Sequence, residues 1–259
     1  MFVKNIKWAI FKIDLAKAFD KVSWIYLHLH LMHLGFDIVF IRWILSCITT
    51  VSFLVLIDGA ASPFFHAERG LRQGYPLSPL LFLLAVEGLS CALKEVIWLG
   101  NFIGLQLAQN LHISNFLFVD DIFIFCSGSV RELCALDDIL NIFSKETWMD
   151  INIGKSMVIP YLLSREEERV LSELFPFHTV HFEEGIHYLG FFIKPNYYRK
   201  QDWAWLLEKL DKWLKLWCHP WLMRADRLIM IKYLLDAILV YWMTLASILK
   251  GILDKACRI

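Results

Sequence analysis

The ten residues from 116 to 125, FLFVDDIFIF, leave few ways to fold. Eight of them are apolar and strand-forming, yet Asp120 and Asp121 interrupt the run at its middle. An ionised carboxylate among such neighbours is costly unless it is paired or bound to a cation. Adjacent aspartates are also ordinary turn formers. A tight antiparallel hairpin over residues 116 to 126, with both acids at the turn, satisfies these demands together.

A second carboxylate sits in a similar setting. WAIFKI, residues 8 to 13, reads as a strand that ends at Asp14, beside Ile10, Phe11 and Ile13. Two or three carboxylates gathered from separate strand ends would repel one another, and a pair of Mg²⁺ ions removes that repulsion. Two ions about 3.5–4 Å apart can activate a hydroxyl nucleophile and stabilise the leaving oxygen in phosphoryl or nucleotidyl transfer. A polar loop, GLRQGYPLSP at 70 to 79, lies between the two acidic segments. Gly70 and Gly74 leave room for close backbone approach around Arg72 and Gln73. Ser78 can cap and Pro79 can open a helix running to about residue 94, and a helix N-terminus favours a phosphate. A G-x-x-x-G spacing alone is common; the ten-residue string is far more specific.

The remaining pattern is α+β. Helices are expected at 24 to 34, 38 to 48, 131 to 147 and 164 to 174, with a hairpin of 51 to 57 and 64 to 67 around Asp58-Gly59. A strand is expected at 187 to 193, and two or three helices fill 202 to 259. Mean hydropathy is +0.50, which raises the question of a membrane. However, the uncharged stretch 237 to 249 has 13 residues and 77 to 93 is broken by Glu87, whereas a span needs about 20. Buried helices account for both. No secretory leader is evident, and six cysteines without a C-x-x-C pair suit a reduced, intracellular chain, nuclear or cytoplasmic.

The formal net charge is zero but unevenly spread. Residues 1 to 193 carry 14 Lys and Arg against 20 Asp and Glu, and residues 194 to 232 carry 9 against 4. In the basic stretch, Lys194, Arg199, Lys200, Lys209, Lys212, Lys215, Arg224, Arg227 and Lys232 alternate with Tyr197, Tyr198, Trp203, Trp205, Trp213, Trp217 and Trp221. Such a mixture suits a surface that tracks phosphates and stacks on bases. It equally suits amphipathic helices with a solvated basic face over a Trp-rich core.

The chain resembles the reverse transcriptase domain of non-LTR retrotransposons, particularly the LINE type abundant in plants. DLAKAFDKVSW (14 to 24), GLRQGYPLSPLLF (70 to 82) and FVDD (118 to 121) resemble motifs A, B and C of that family. INIGKS (151 to 156) resembles motif D, YLG (188 to 190) the primer grip, and residues 224 to 243 the thumb-side sequence. The resemblance implies an α+β polymerase palm, an antiparallel sheet packed by helices, over residues 1 to 193, followed by a thumb-like helical segment over 194 to 259. It implies RNA-directed DNA polymerase activity with RNA template, DNA primer and deoxynucleotides as partners and two Mg²⁺ ions, or Mn²⁺, as cofactor. Asp14, Asp120 and Asp121 would be catalytic and hold the metals. Leu15, Phe19, Arg72, Gln73 and Gly74 would contact the incoming nucleotide and template, with Phe19 disfavouring a 2′-hydroxyl. Lys155 would neutralise or protonate departing pyrophosphate, and Tyr188, Leu189 and Gly190 would place the primer end.

Departures from the family pattern are few. Tyr75 stands where LINE-type sequences carry aspartate, although retroviral relatives accept an aromatic there, and Val119 replaces an alanine before the paired acids. Only 13 residues precede Asp14, whereas the resemblance implies a fingers subdomain ahead of it, so weak or no activity is expected of this chain alone. A catalytically inactive remnant that binds nucleic acid through its basic segment is the alternative. A two-metal nuclease fits the carboxylates but gives no purpose to GLRQGYPLSP or Phe19.

Overall fold

The strand expected at 8 to 13 forms over Trp8–Ile13 and is the middle member of a five-stranded sheet. The computed structural model describes residues 6–108, 111–189, 191–195, 198–217, 223–230, 232–233, 240–241, 243, 248 and 250–256. From one edge to the other the sheet runs His178–Thr179, Met157–Tyr161, Trp8–Ile13, Asp121–Cys126, Asn115–Phe118. Neighbours are antiparallel except His178–Thr179, which is parallel to Met157–Tyr161.

Strand alternation decides which side is covered. Ala9, Phe11 and Ile13 are fully buried, and their register partners Cys126, Ile124 and Ile122 are fully buried beside them. They share one core with Leu81, Phe82 and Leu89 of the helix Ser78–Trp98 and Leu133, Leu136 and Leu140 of the helix Val130–Thr147. Lys12, on the opposite side of its strand, remains half-buried.

Local chemistry sets the helix starts. Ser23 accepts from Tyr26 N to cap Trp24–His33, and Asp37 accepts from Val39 N to cap Ile38–Thr49. Ser164 and Glu167 form a reciprocal capping box at Arg165–Leu174. The helix after the glycine loop departs from expectation. Leu77, not Ser78, is its N-cap, no side chain caps it, and it continues to Trp98. Ser78 is already inside the first turn, where its hydroxyl is buried without a hydrogen-bond partner. The expected hairpin is present as two short pairs, Ser52–Phe53 with Phe65–His66 and Leu56–Ile57 with Ala60–Ala61. Asp58 and Gly59 both have positive φ at its tip, the geometry that matches hairpin twist.

The chain divides into two compact units, Met1–His181 and Phe182–Ile259. The region expected as one strand at 187 to 193 is instead a hairpin, Ile186–Tyr188 with Phe191–Ile193. Leu189 turns the chain at φ 48, so the extended run cannot continue through it. This hairpin belongs to the second unit, whereas the sequence-based division at 193/194 groups it with the first. The second unit continues through a short 3₁₀ turn, Lys200–Trp203, into the helix Ala204–Trp217. Trp203, Leu206, Leu210, Ile248 and Ile252 form its core. Among the described residues, no helix is long and apolar enough to cross a membrane.

Candidate active site

The register of the two central strands determines where the acids fall. Ile13 faces Ile122 at the last paired position, so Asp14 and Asp121 are the next residues outward on neighbouring strands. Asp121 pairs with Phe118 across the expected hairpin, and Val119 and Asp120 make its two-residue turn. Val119 holds φ 55, an unfavourable conformation for a β-branched residue. Asp120 is exposed, while Asp14 and Asp121 are half-buried. Lys12 Nζ lies 3.3 Å from Asp121 Oδ1, with 18% and 27% of the two side chains accessible.

Asp14 is fixed through its backbone. Its N–H donates to Ser156 Oγ at 3.1 Å, and its carbonyl accepts from Asn152 N at 2.8 Å. The turn of residues 152 to 156 is thereby docked on Asp14, and it carries Lys155, whose side chain is exposed. The next two residues, Leu15 and Ala16, pair with Ile151 and Asp150. Leu15 is 7% exposed with its side chain in the core, so its backbone is the part that can face a substrate. Among the described residues, no three His, Cys, Asp or Glu side chains converge closely enough to hold a metal ion. The three aspartates are gathered at one end of the sheet without forming a closed cluster.

The glycine loop is joined to the segment that follows Asp14. Gly70 N donates to Val22 O at 2.8 Å, Leu71 N to Phe19 O at 2.6 Å, and Trp24 Nε1 to Gly70 O at 2.7 Å. Gly70 has φ +85, and a Cβ there would lie 2.6 Å from Asp20 O. Only glycine allows this approach. Phe19 stacks on Phe82 with centroids 4.5 Å apart and planes 18° from parallel. Arg72 and Gln73, together with Asp20, Trp24, Tyr75 and Ser78, line a cavity of about 610 Å³. None of Asp14, Asp120 and Asp121 lines it. Arg72, Gln73 and Gly74 are exposed. Beyond the loop, burial pushes the Tyr26 phenol up, and Tyr26 Oη donates to Ala85 O at 3.1 Å.

Tyr188 and Leu189 lie in the second unit's hairpin, and Gly190 lies outside the described residues. Sequence reasoning missed Lys12, Ser156 and Trp24 as partners of the site. Lys12 carried a usable signal, because i and i+2 share a strand face and Lys12 therefore shares one with Asp14. Ser156 and Trp24 carried none, since each acts through a contact between segments far apart in sequence.

The five-stranded sheet and the helices packed against it make a palm-like α+β fold. Residues 3–201 match the family model described as "Reverse transcriptase (RNA-dependent DNA polymerase)", and the chain belongs to that family. It is similar to the retrovirus-related Pol polyprotein from type-1 retrotransposable element R2 of Popillia japonica, at 28% identity over 151 residues, 58% of this chain and 20% of that protein. Similarity to the transposon TX1 uncharacterized 149 kDa protein of Xenopus laevis is 32% over 91 residues, 35% of this chain and 7% of that one. An uncharacterized mitochondrial protein of Arabidopsis thaliana is 41% identical over 69 residues, 26% of this chain and 57% of its own length. The chain thus spans between 7% and 57% of these relatives.

Telomerases bound to a fragment of telomeric RNA share the fold. That of Candida tropicalis superposes with a TM-score of 0.52 at 14% identity, covering 82% of this chain and 34% of that one. That of Candida albicans gives 0.51 at 13% identity, covering 92% and 39%.

Proposed function

We propose that this chain carries the polymerising palm of an RNA-directed DNA polymerase of the non-LTR retrotransposon type, adding deoxynucleotides to a DNA primer on an RNA template. The observation that carries this is the Ile13–Ile122 register, which sets Asp14 and Asp121 side by side with Asp120 in the adjoining turn. Their oxygens are the hard donors that Mg²⁺ takes, and an open set of carboxylates suits an ion that keeps waters and substrate oxygens in its shell. Bound Mg²⁺, or Mn²⁺, supplies charge stabilisation to the attacking and leaving oxygens.

The chain's own residues do the rest. Asp14, tied at both backbone groups, and Asp120 and Asp121, held by the hairpin, present the carboxylates. Phe19, backed by Phe82, offers a rigid surface beneath the incoming sugar that disfavours a 2′-hydroxyl. Arg72, Gln73 and Gly74 bind the nucleotide and template from the loop, and the Leu15 backbone contacts the nucleotide as well. Lys155 neutralises pyrophosphate, and Tyr188, Leu189 and Gly190 steady the primer end. Primer extension on an RNA template tests this with the native chain against Asp120→Asn and Asp121→Asn. Metal-dependent incorporation that either variant abolishes supports it, and no metal-dependent incorporation by the native chain refutes polymerase activity of this chain.

A second function has its own observation. Lys209, Lys212 and Lys215 are exposed along Ala204–Trp217, and Trp213 is exposed among them, while Trp203 is buried in the core. This face suits a phosphate backbone, with Trp213 as a stacking platform. A chain acting only as a nucleic-acid binder retains salt-sensitive binding without its paired acids and loses it when the three lysines are neutralised. Equal loss from both sets of substitutions refutes it.

A further inference from the structure

We infer that Lys12 is a positioning residue, a tethered cation that occupies the acidic strand end until a divalent metal displaces it. This rests on the assignment of Asp14, Asp120 and Asp121 as metal ligands. Three carboxylates at one sheet end repel one another when no ion is present. Lys12 and Asp14 are two apart on one strand and share a face. Lys12 pairs with Phe123, and Asp121 is two residues back on the facing strand, so Lys12 and Asp121 form a diagonal cross-strand pair. Their charged atoms are 3.3 Å apart, and only 18% of the Lys12 side chain is accessible.

This placement has two consequences. In the metal-free chain, the ammonium screens the acids from one another and holds Asp121 in position. On metal entry, the same charge opposes a second cation a few ångströms away, so Asp121 must exchange its ammonium partner for the ion. Lys12 therefore stabilises the empty site and weakens metal binding, so that occupancy follows the metal and nucleotide available and the site does not lock onto a single ion.

Mn²⁺ alone is the probe, titrated against the full chain and followed by electron paramagnetic resonance, with thermal unfolding measured in chelator and in saturating Mn²⁺. Lys12→Met keeps the aliphatic stem and removes the charge; Lys12→Arg keeps the charge. Lys12→Met is expected to bind Mn²⁺ at least threefold more tightly, to unfold at lower temperature in chelator, and to gain more from Mn²⁺ than the native chain. Lys12→Arg is expected to match the native affinity, and Lys12→Gln serves if the methionine variant does not fold. Unchanged or weaker Mn²⁺ binding without the charge overturns the role of Lys12 while leaving the metal site standing. If neither the native chain nor a Lys12 variant binds Mn²⁺, the metal assignment falls, and the Lys12 proposal falls with it.

Discussion

Gly70 and Gly74 share a loop and nearly the same backbone angle, φ +85 and +80, but not the same surroundings. A methyl at Gly74 meets nothing within 4 Å, whereas one at Gly70 meets the Asp20 backbone at 2.6 Å. Gly74→Ala therefore carries only the left-handed penalty, about 1–2 kcal/mol. Gly70→Ala adds an overpacking cost of about 1–3 kcal/mol, because the atoms it strikes are main chain and cannot rotate away. The entropy that alanine removes from the unfolded chain is common to both and cancels in the comparison. The expected gap of about 1–3 kcal/mol corresponds to a urea midpoint roughly 1 M lower for Gly70→Ala, given slopes of about 1–3 kcal/mol/M. Urea unfolding followed by circular dichroism measures it. Equal midpoints would falsify the claim that the loop is pinned by backbone contact at Gly70.

Three further outcomes are expected. Glu132 is buried and accepts from Ile103 N at 2.9 Å and Ser127 N at 2.7 Å. Glu132→Ala orphans both donors and should cost about 3–5 kcal/mol in urea unfolding, with Glu132→Gln between it and the native chain. His30 has its pKa lowered by burial first and by His33 second. Its stabilising contribution is thus complete above the ordinary value of 6.5 and is lost as pH falls through the window below it, until the folded-state value is passed. His30→Phe should flatten that acid-side slope of stability against pH, and an unaltered slope would count against it. Phe19→Ala removes one ring of the Phe19–Phe82 stack and should cost about 2–3 kcal/mol. In an active enzyme it should also raise ribonucleotide incorporation relative to deoxynucleotide, measured by competing the two in primer extension.

The elements legible in the sequence are those whose signal is local. Trp8–Ile13 and the 115–126 hairpin could be read because apolar strand formers run up to the acids, and Arg165–Leu174 because Ser164 and Glu167 announce its start. Short pairings such as Leu15–Ala16 with Asp150–Ile151 could not, because two-residue strands carry no period and their partners are far away in sequence. Ser78 misled because serine before proline is a strong capping signal, whereas Leu77 is the N-cap and Ser78 is buried inside the first turn. At the site, residue types were legible but their relations were not. That Asp14 and Asp121 adjoin follows from the register between distant strands. That Arg72 and Gln73 line a cavity apart from the acids depends on how the loop crosses the segment after Asp14.

Two of the three hydrogen bonds that hold the glycine loop run from main chain to main chain, and the third ends on a main-chain carbonyl. The path of the loop is thus independent of the side chains it displays at positions 72, 73 and 75. Such a scaffold can exchange its display without being rebuilt. Tyr75 thus presents its ring to the cavity from a mount that main-chain contacts set, and substitution at 72, 73 or 75 leaves that mount in place.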